Sequence, residues 1–191
     1  MTKYILWVSA RLENMTNLQP MGGVDDPRFC YIFKLRCRCG DETKNEVCVT
    51  LSETQYYSRQ EPKTNLVKKC KECRKTGTIT LVPGEGFPLT ENYSRRGRAA
   101  PLMQFRCNGY EPFGFVSNSL WRAERGDGIP ILDIDLNENE GFAYPPEDGE
   151  EGARITNVEF EFRHARFVLF QCADLQRTQD TIQKKLGFSR L

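Results

Sequence analysis

The amino-acid sequence predicts an all-β protein, an irregular sandwich or barrel of many short antiparallel strands that ends in one C-terminal helix. Several segments alternate apolar and polar residues, which is the period of a strand with one buried face. Clusters of Gly, Pro, Asn and Asp separate these segments at close intervals, as in sandwiches and barrels. Helical spacing is confined to the tail of the chain, which argues against a mixed α/β architecture.

The first half of the chain contains three alternating segments that predict strands. Residues 3–12 carry apolar side chains on both faces, so both faces of that strand are expected to be partly buried. Residues 28–36 and residues 46–51 each place their apolar side chains on one face. Residues 17–27 and 54–64 are polar and contain Gly or Pro, which predicts loops.

The second half repeats this pattern with longer connections. Strands are predicted at residues 76–82, 102–107, 129–136 and 155–162. The predicted connections are an exposed loop at 83–98, an aromatic, turn-rich segment at 108–115 and a mobile acidic loop at 137–152.

The chain is predicted to divide into one β domain, residues 1–163, and a C-terminal extension, residues 164–191. The extension starts with an extended segment at 165–170. Residues 173–186 then place apolar side chains on one helical stripe, and Gly187 would end that helix.

Length and charge narrow the class of protein. A chain of 191 residues suits one domain or two small ones, and its formal net charge of +1 provides no global field for nucleic acid or an acidic membrane. The N-terminal apolar run is too short for a signal peptide, and no stretch approaches the roughly 18 apolar residues of a membrane span. The sequence therefore predicts a cytoplasmic protein that does not enter a membrane.

The chain contains eight cysteines, which in a reducing cytosol favour metal binding or redox chemistry over structural disulfides. Four cysteines stand alone and are interpreted as small buried hydrophobic residues: Cys30, Cys48, Cys107 and Cys172. The other four form two close pairs.

These pairs, Cys37 with Cys39 and Cys70 with Cys73, have the composition of a structural zinc site. Zinc takes four ligands in a tetrahedron, with thiolates about 2.3 Å from the metal. Each pair follows a predicted strand and would form one zinc knuckle. Basic neighbours would offset the negative charge of the site and lower the pKa of its thiols: Arg36, Arg38, Lys68, Lys69 and Lys71.

The spacing of the first pair leaves the fourth ligand open. One residue separates Cys37 from Cys39, so in a straight strand their Cα atoms would lie roughly 6.5 Å apart. Either the chain bends sharply there, or Cys48 replaces Cys37, or three thiolates and a water complete the site. Four thiolates can also hold iron, so zinc is an inference.

Three segments carry a resemblance to a known family. Residues 10–20 read Ala-Arg-Leu-Glu-Asn-Met-Thr-Asn-Leu-Gln-Pro, residues 67–73 read Val-Lys-Lys-Cys-Lys-Glu-Cys, and residues 105–115 read Phe-Arg-Cys-Asn-Gly-Tyr-Glu-Pro-Phe-Gly-Phe. They resemble, in the same order, motifs of the eukaryotic CXXC-motif-containing zinc-binding proteins, long catalogued as a domain of unknown function. The resemblance covers about residues 3–163, and the tail extends beyond the usual end of the family.

The resemblance implies a β-rich fold with one zinc ion held by two cysteine pairs and no known catalytic activity. When the sequence is aligned with the family motifs, Cys39, Cys70 and Cys73 occupy positions whose cysteines bind the zinc ion in the family. The first motif of the family is Cys-x-x-Cys, so its remaining ligand would fall on Arg36. In this chain Cys37 would have to serve instead, after a shift of one residue.

The first functional hypothesis is a non-enzymatic, monomeric zinc-binding protein that binds protein partners or handles metal, because four thiolates leave no open position for water. Exposed side chains of Phe113, Phe115 and Trp121 would form a contact patch for such a partner. Burial would instead place the same side chains in the core.

Two further hypotheses follow from other residues. In a zinc-stapled thiol redox enzyme, similar to a sulfoxide reductase, Cys107 would be the nucleophile and Cys172 would resolve it. A nucleic-acid-binding role, with Tyr93 as a stacking partner, has little support from a net charge of +1. Its basic residues would be Arg95, Arg96, Arg98, Lys68, Lys69 and Lys71.

Overall fold

Strands make up nearly all the regular secondary structure of the computed structural model, which describes residues 1–58, 62–117, 120–136, 141–145 and 152–165. In chain order the elements are β1 (Thr2–Glu13), β2 (Met15–Pro20), β3 (Tyr31–Cys37), β4 (Val47–Val49), β5 (Leu66–Lys69), β6 (Thr76–Val82), α1 (Glu91–Arg95), β7 (Ala100–Asn108), β8 (Tyr110–Val116), β9 (Trp121–Arg125), β10 (Pro130–Ile134), β11 (Phe142–Tyr144) and β12 (Ala153–His164). The described strand pairs are antiparallel, which confirms the all-β prediction.

The largest sheet has six strands in the order β11-β12-β1-β7-β6-β5. Strand β1 lies in the interior of this sheet, and every second residue directs an apolar side chain toward the main core. On its opposite face, Ile5 is 7% exposed and Trp7 is 4% exposed. The expectation that both faces of this strand are buried is therefore confirmed.

Two smaller sheets complete the fold, in the orders β10-β9-β2 and β4-β3-β8. The chain passes from β1 into β2 through Asn14, whose φ of 53° lies in the left-handed region that Asn tolerates better than most residues. It passes from the large sheet to the third sheet through the β7–β8 turn at Gly109, since β7 pairs in the large sheet and β8 pairs with β3. The residues on either side of this turn contact the strands that carry the two cysteine pairs.

The core joins the sheets through aromatic side chains. The fully buried ring of Phe105 on β7 lies 5.5 Å from Phe33 on β3, 5.7 Å from Tyr31 and 5.3 Å from Phe162 on β12, each edge to face. Such pairs contribute about 0.5–1.5 kcal/mol each beyond the burial of their area. Strand β3 of the third sheet therefore packs against β7 of the large sheet, and its ring Phe33 also contacts Phe162 of β12.

Several predicted elements differ from the structure. Strand β6 has the predicted bounds, but β2 begins before and runs into the predicted loop 17–27, and β11 lies within the predicted acidic loop 137–152. Helix α1 interrupts the predicted loop 83–98. The turn-rich segment 108–115 is largely strand β8. Short elements with few apolar residues leave little periodicity for a sequence pattern to detect.

The predicted C-terminal helix at 173–186 and the extended segment after Ala165 lie outside the described residues. Within the described part of the chain, no helix has the length and apolar character needed to cross a membrane.

Candidate metal centre

The first cysteine pair lies where β3 ends and the chain turns back. Cys37 is the last residue of β3, its backbone N–H donates to the carbonyl of Asp41 (2.7 Å), and Gly40 donates to the carbonyl of Cys37 (2.8 Å). Gly40 has a φ of 95°, which side chains strongly disfavour. The chain therefore bends within the one-residue spacing instead of continuing as a strand.

The second pair lies in the tight turn between β5 and β6. The backbone N–H of Cys70 donates to the carbonyl of Lys75 (2.9 Å), and Arg74 has a φ of 61°. The turn thus places Cys70 and Cys73 at the same end of this strand pair. Each cysteine pair therefore occupies the turn that follows a strand, as predicted.

The β7–β8 turn lies between the two knuckles. Tyr110, which follows this turn, opposes Cys37 of β3, while Asn108, which precedes it, opposes Thr78 of β6. Gly109, with a φ of 80°, accepts a hydrogen bond from the N–H of Arg38 (3.2 Å). The residues on either side of one turn are thus paired with the strands that carry both knuckles.

The four predicted cysteines lie together, with their sulfur atoms within 4.8 Å of one another. The Sγ atoms of Cys37 and Cys73 are 3.7 Å apart, and those of Cys39 and Cys70 are 3.7 Å apart. Two thiolates on one tetrahedral zinc ion, each about 2.3 Å from the metal, lie about 3.8 Å apart. The donor set and its spacing therefore fit a four-thiolate metal site.

The lone cysteines Cys30 and Cys48 form a disulfide, with their Cα atoms 5.5 Å apart. The expectations that disulfides would be absent and that both residues would be small buried hydrophobes are wrong. Cys48 on β4 is exposed and Cys30 is half-buried. The disulfide leaves Cys48 no free thiolate for a metal, which removes the alternative in which it replaces Cys37.

Without a bound metal, the thiols of the cluster differ in acidity. The pKa of Cys39 is lowered to about 7, first by the backbone N–H of Asp41 and then by the side chain of Cys37. The backbone N–H of Cys73 favours the thiolate of Cys70, but burial and the carboxylate of Asp41 outweigh it and raise the pKa of Cys70 to about 12. Metal binding must therefore displace a tightly held proton from Cys70.

Two residues of the site were not predicted from the sequence. Asp41 accepts a hydrogen bond from the thiol of Cys70 (3.2 Å) and from the backbone of Cys37. Tyr110 is 6% exposed, and burial followed by the nearby cysteine sulfurs raises its pKa to about 12. The Asn-Gly pair before Tyr110 is a turn signal that could have indicated a change of chain direction there, whereas Asp41 has no signal beyond following Gly40.

The basic residues around the cluster have mixed roles. Arg36 forms an ion pair with Glu42 (2.8 Å) and lies 4.9 Å from the ring of Phe113. Lys68, Lys69 and Lys71 line a cavity beside Cys70, together with acidic residues of the first knuckle: Asp41, Glu42 and Glu46. The surroundings therefore carry both signs of charge.

The residues of the redox hypothesis are not arranged as a reactive thiol pair within the described part of the chain. Cys107 on β7 is 1% exposed, and burial raises the pKa of its thiol to about 12. It is therefore a protonated core residue at neutral pH. Its predicted partner Cys172 lies outside the described residues.

The proposed aromatic contact patch is not formed, because Phe115 and Trp121 are buried in the core and Phe113 is half-buried. Of the proposed basic residues, Arg98 lines one cavity together with Tyr93, whereas Lys68, Lys69 and Lys71 line another.

The chain is similar in sequence to a family of zinc-binding proteins and to relatives in other eukaryotes. The model of a family described as CXXC motif containing zinc binding protein, eukaryotic, matches residues 5–163. The CXXC motif containing zinc binding protein of Xenopus laevis is 29% identical over 164 residues, covering 85% of this chain and 98% of the relative. The protein of the same name from Homo sapiens is 27% identical, with 85% and 98% covered.

Two solved structures have the same fold as this chain. The crystal structure of C1orf123 matches with a TM-score of 0.74 and 25% identity, covering 85% of this chain and 99% of the other. A hypothetical protein from Plasmodium falciparum matches with a TM-score of 0.71 over 85% of this chain and 100% of the other, but at 20% identity it supports the fold alone.

Proposed function

The chain belongs to the family of eukaryotic CXXC motif containing zinc binding proteins, and we propose that Cys37, Cys39, Cys70 and Cys73 hold one structural zinc ion in it. The proximity of four sulfur atoms within 4.8 Å carries this proposal. Two of their separations match the edge of a zinc–thiolate tetrahedron. Zinc is favoured over other divalent ions because thiolates in a tetrahedral set suit it well.

The proposed role of the metal is structural and the protein is not an enzyme. Four thiolates leave no open coordination position for water or substrate. Each of the two closest sulfur pairs joins one knuckle to the other, so the metal would cross-link β3 to the β5–β6 hairpin. In this role zinc supplies charge neutralisation and a cross-link.

The cellular part of the proposal is a monomeric cytoplasmic protein that binds protein partners or handles metal. The exposed edge of the site supports this role, because Cys39 is exposed while Cys37 and Cys70 are buried. A metal held there would lie close to an approaching partner. In this proposal the zinc domain spans residues 1–163, and residues 164–191 are an extension of it.

Metal analysis of purified variants tests the ligand set. We expect one zinc per chain in the native protein and in the Cys48→Ser variant, because Cys48 is bonded to Cys30. The Cys37→Ser variant is expected to lose most of its zinc, since it removes one of four thiolates. Inductively coupled plasma mass spectrometry measures both zinc and iron.

Two outcomes of the metal analysis would contradict this assignment. Full zinc retention in Cys37→Ser would leave a three-thiolate site, and loss of zinc in Cys48→Ser would restore Cys48 as a ligand. If iron were found in place of zinc, the four cysteines would form an iron site and the proposed metal would be wrong. The Cys30→Ser variant is the matched control, because it breaks the same disulfide without touching Cys48.

Thiol reactivity separates the structural role from thiol catalysis. In the zinc-loaded protein at pH 7, we expect iodoacetamide to modify Cys107 at least about 100-fold more slowly than free cysteine, because its pKa is raised to about 12 and its thiol is buried. The raised pKa keeps the thiol protonated below pH 12, so its reactivity should stay low throughout the neutral range. Mass spectrometry of timed digests measures it. Modification of Cys107 as fast as free cysteine would support the redox hypothesis instead.

A further inference from the structure

The disulfide between Cys30 and Cys48 lies on the face of the third sheet that points away from the main core. Cys48 of β4 is paired with Ile32 of β3, and Cys30 lies two residues before Ile32. Because side chains alternate along a strand, these three residues share one face. Tyr31 and Val49, which are paired with each other, point to the opposite face and are buried in the core. Cleavage of the disulfide would therefore leave the core packing in place.

The two cysteines of this disulfide differ in their access to solvent. Cys48 is exposed, whereas Cys30 is half-buried. A thiolate attacks a disulfide along the line of the sulfur–sulfur bond, from the side opposite the sulfur that leaves. For attack at Cys48, that side is the edge of the sheet at β4, beyond which no described strand lies. Cys48 is therefore the cysteine that a thiol from solution can reach.

Strand β4 has anchors other than the disulfide. Its three residues pair with β3, and Val49 is buried. The chain directly after β4 is held by the buried side chain of Asn65, whose amide donates to the carbonyls of Thr50 (2.9 Å) and Glu53 (3.0 Å). The oxygen of the same amide accepts a hydrogen bond from the backbone N–H of Leu81 (2.8 Å) on β6. After cleavage, the two cysteines would therefore remain neighbours.

We propose that Cys48 is a site of reversible S-thiolation by a small monothiol of the glutathione class, with Cys30 as its resolving cysteine. The thiolate of the small molecule attacks the Sγ atom of Cys48 and forms a new sulfur–sulfur bond with it. The Cys30–Cys48 bond breaks, and its electron pair leaves on the sulfur of Cys30, which takes up a proton. In the reverse step, the Cys30 thiolate attacks the Sγ atom of Cys48 and releases the small thiol.

The exposed position of the disulfide favours exchange over a purely structural role. Disulfides of cytosolic proteins are usually transient, catalytic or redox-sensing, and exposed disulfides are more labile than buried ones. A cytoplasmic location, which is part of the proposed function, would supply the small thiol, and to that extent this site rests on the proposed function. The site is independent of the metal, because Cys48 is not one of the four clustered cysteines.

Peptide mass spectrometry of the full-length, zinc-loaded protein tests this site. The probe is excess reduced glutathione at neutral pH, followed by acid, which stops exchange by protonating the thiolates. We expect the bridge to open and glutathione to appear on the peptide that contains Cys48, with at least about tenfold less on the peptide that contains Cys30. A bridge that stays closed in excess glutathione, or equal modification of the two peptides, would overturn the proposal.

Two serine variants form a matched pair for the reverse step. In Cys30→Ser, Cys48 has no resolving partner, so glutathione disulfide should leave a stable adduct on it and release one glutathione. In Cys48→Ser, the remaining Cys30 is half-buried, and the same reagent should modify it at least about tenfold more slowly. Equal rates in the two variants would contradict the assignment of Cys48 as the modified residue.

The native protein shows whether Cys30 resolves the adduct. After its bridge has been opened and the reductant removed, glutathione disulfide should give an adduct on Cys48 that is replaced by the re-formed bridge. An adduct as long-lived as that of Cys30→Ser would exclude Cys30 as the resolving cysteine. The readout is the modified peptide, so failure here leaves the zinc assignment to the metal analysis.

Discussion

Removal of zinc is expected to lower the thermal unfolding midpoint of the protein by about 8–16 °C. A ligand that binds only the folded state stabilises it by about 4 kcal/mol when its free concentration is 1,000 times Kd. For a chain of 150–250 residues, each kcal/mol moves the midpoint by about 2–4 °C. The prediction follows directly from these two relations and from the proposed tight site.

The structural reason lies in the position of the second knuckle. It follows β5, a four-residue strand at the edge of the six-stranded sheet, which pairs only with β6 among the described strands. The sulfur atoms of Cys39 and Cys70 face each other at 3.7 Å, so removal of zinc would take away the cross-link between the two knuckles at this edge. Without zinc, this edge would therefore be the first part of the sheet to open.

Scanning calorimetry with and without a strong chelator measures the effect. The Cys70→Ser variant should unfold at the temperature of the chelated native protein and should not respond to the chelator. Cys48→Ser is the control, because it should keep its response to the chelator although its disulfide is lost. An unchanged midpoint after complete zinc removal would contradict a structural role for the metal.

Replacement of Gly77 by alanine is expected to have the second largest effect, with a loss of about 3 kcal/mol in stability and about tenfold in zinc affinity. A Cβ at this position would lie 2.5 Å from the carbonyl oxygen of Asn108 and 2.5 Å from the ring of Tyr110. Overpacking costs typically about 1–3 kcal/mol, and a backbone carbonyl moves less easily than a side chain. The β7–β8 turn must shift to accept the methyl group.

This shift would reach the metal site because the residues on either side of the β7–β8 turn pair with the strands that carry both knuckles. Tyr110 opposes Cys37, and Gly77 opposes Lys68, two residues before Cys70. Displaced residues around a metal commonly lower its affinity by about 10–100-fold. Urea unfolding measures the stability change, and competition with a zinc indicator measures the affinity.

Two other glycines serve as controls for Gly77→Ala. A Cβ on Gly86 would also meet a backbone carbonyl, that of Leu102, but beyond the opposite end of β6. Gly86→Ala should therefore lower stability and leave zinc affinity unchanged. Gly126 has no atom within 4 Å of a Cβ, so Gly126→Ala should alter neither. Native zinc affinity in Gly77→Ala would show that the β7–β8 turn does not position the knuckles.

Strand prediction succeeded where a segment was long and alternated regularly. The segments at 3–12, 76–82 and 155–162 correspond to β1, β6 and β12, because one or both faces of these strands are buried. Prediction failed for β9, whose two buried residues Trp121 and Ala123 are too few to define a period. Short elements depend on their neighbours more than on their own pattern.

Strand β8 shows why a turn-rich segment can still be a strand. It contains Pro112 and Gly114, which usually interrupt strands, and Gly114 has a φ of 57°. Because β8 lies at the edge of the β4-β3-β8 sheet, a missing N–H and a distorted residue cost it little. The position at an edge is a property of the assembled sheet and has no local signature.

The sequence by itself determined the all-β class, the two cysteine pairs and the family, since these depend on residue type, spacing and motif order. Only the tertiary structure decided that the sulfur of Cys37 joins the other three and that Cys48 pairs with Cys30. It also identified Asp41 and Tyr110 as neighbours of the cluster. These outcomes depend on a bend after β3 and on the β7–β8 turn, which is distant in the chain, and non-local contacts of this kind leave no pattern in the residues that they bring together.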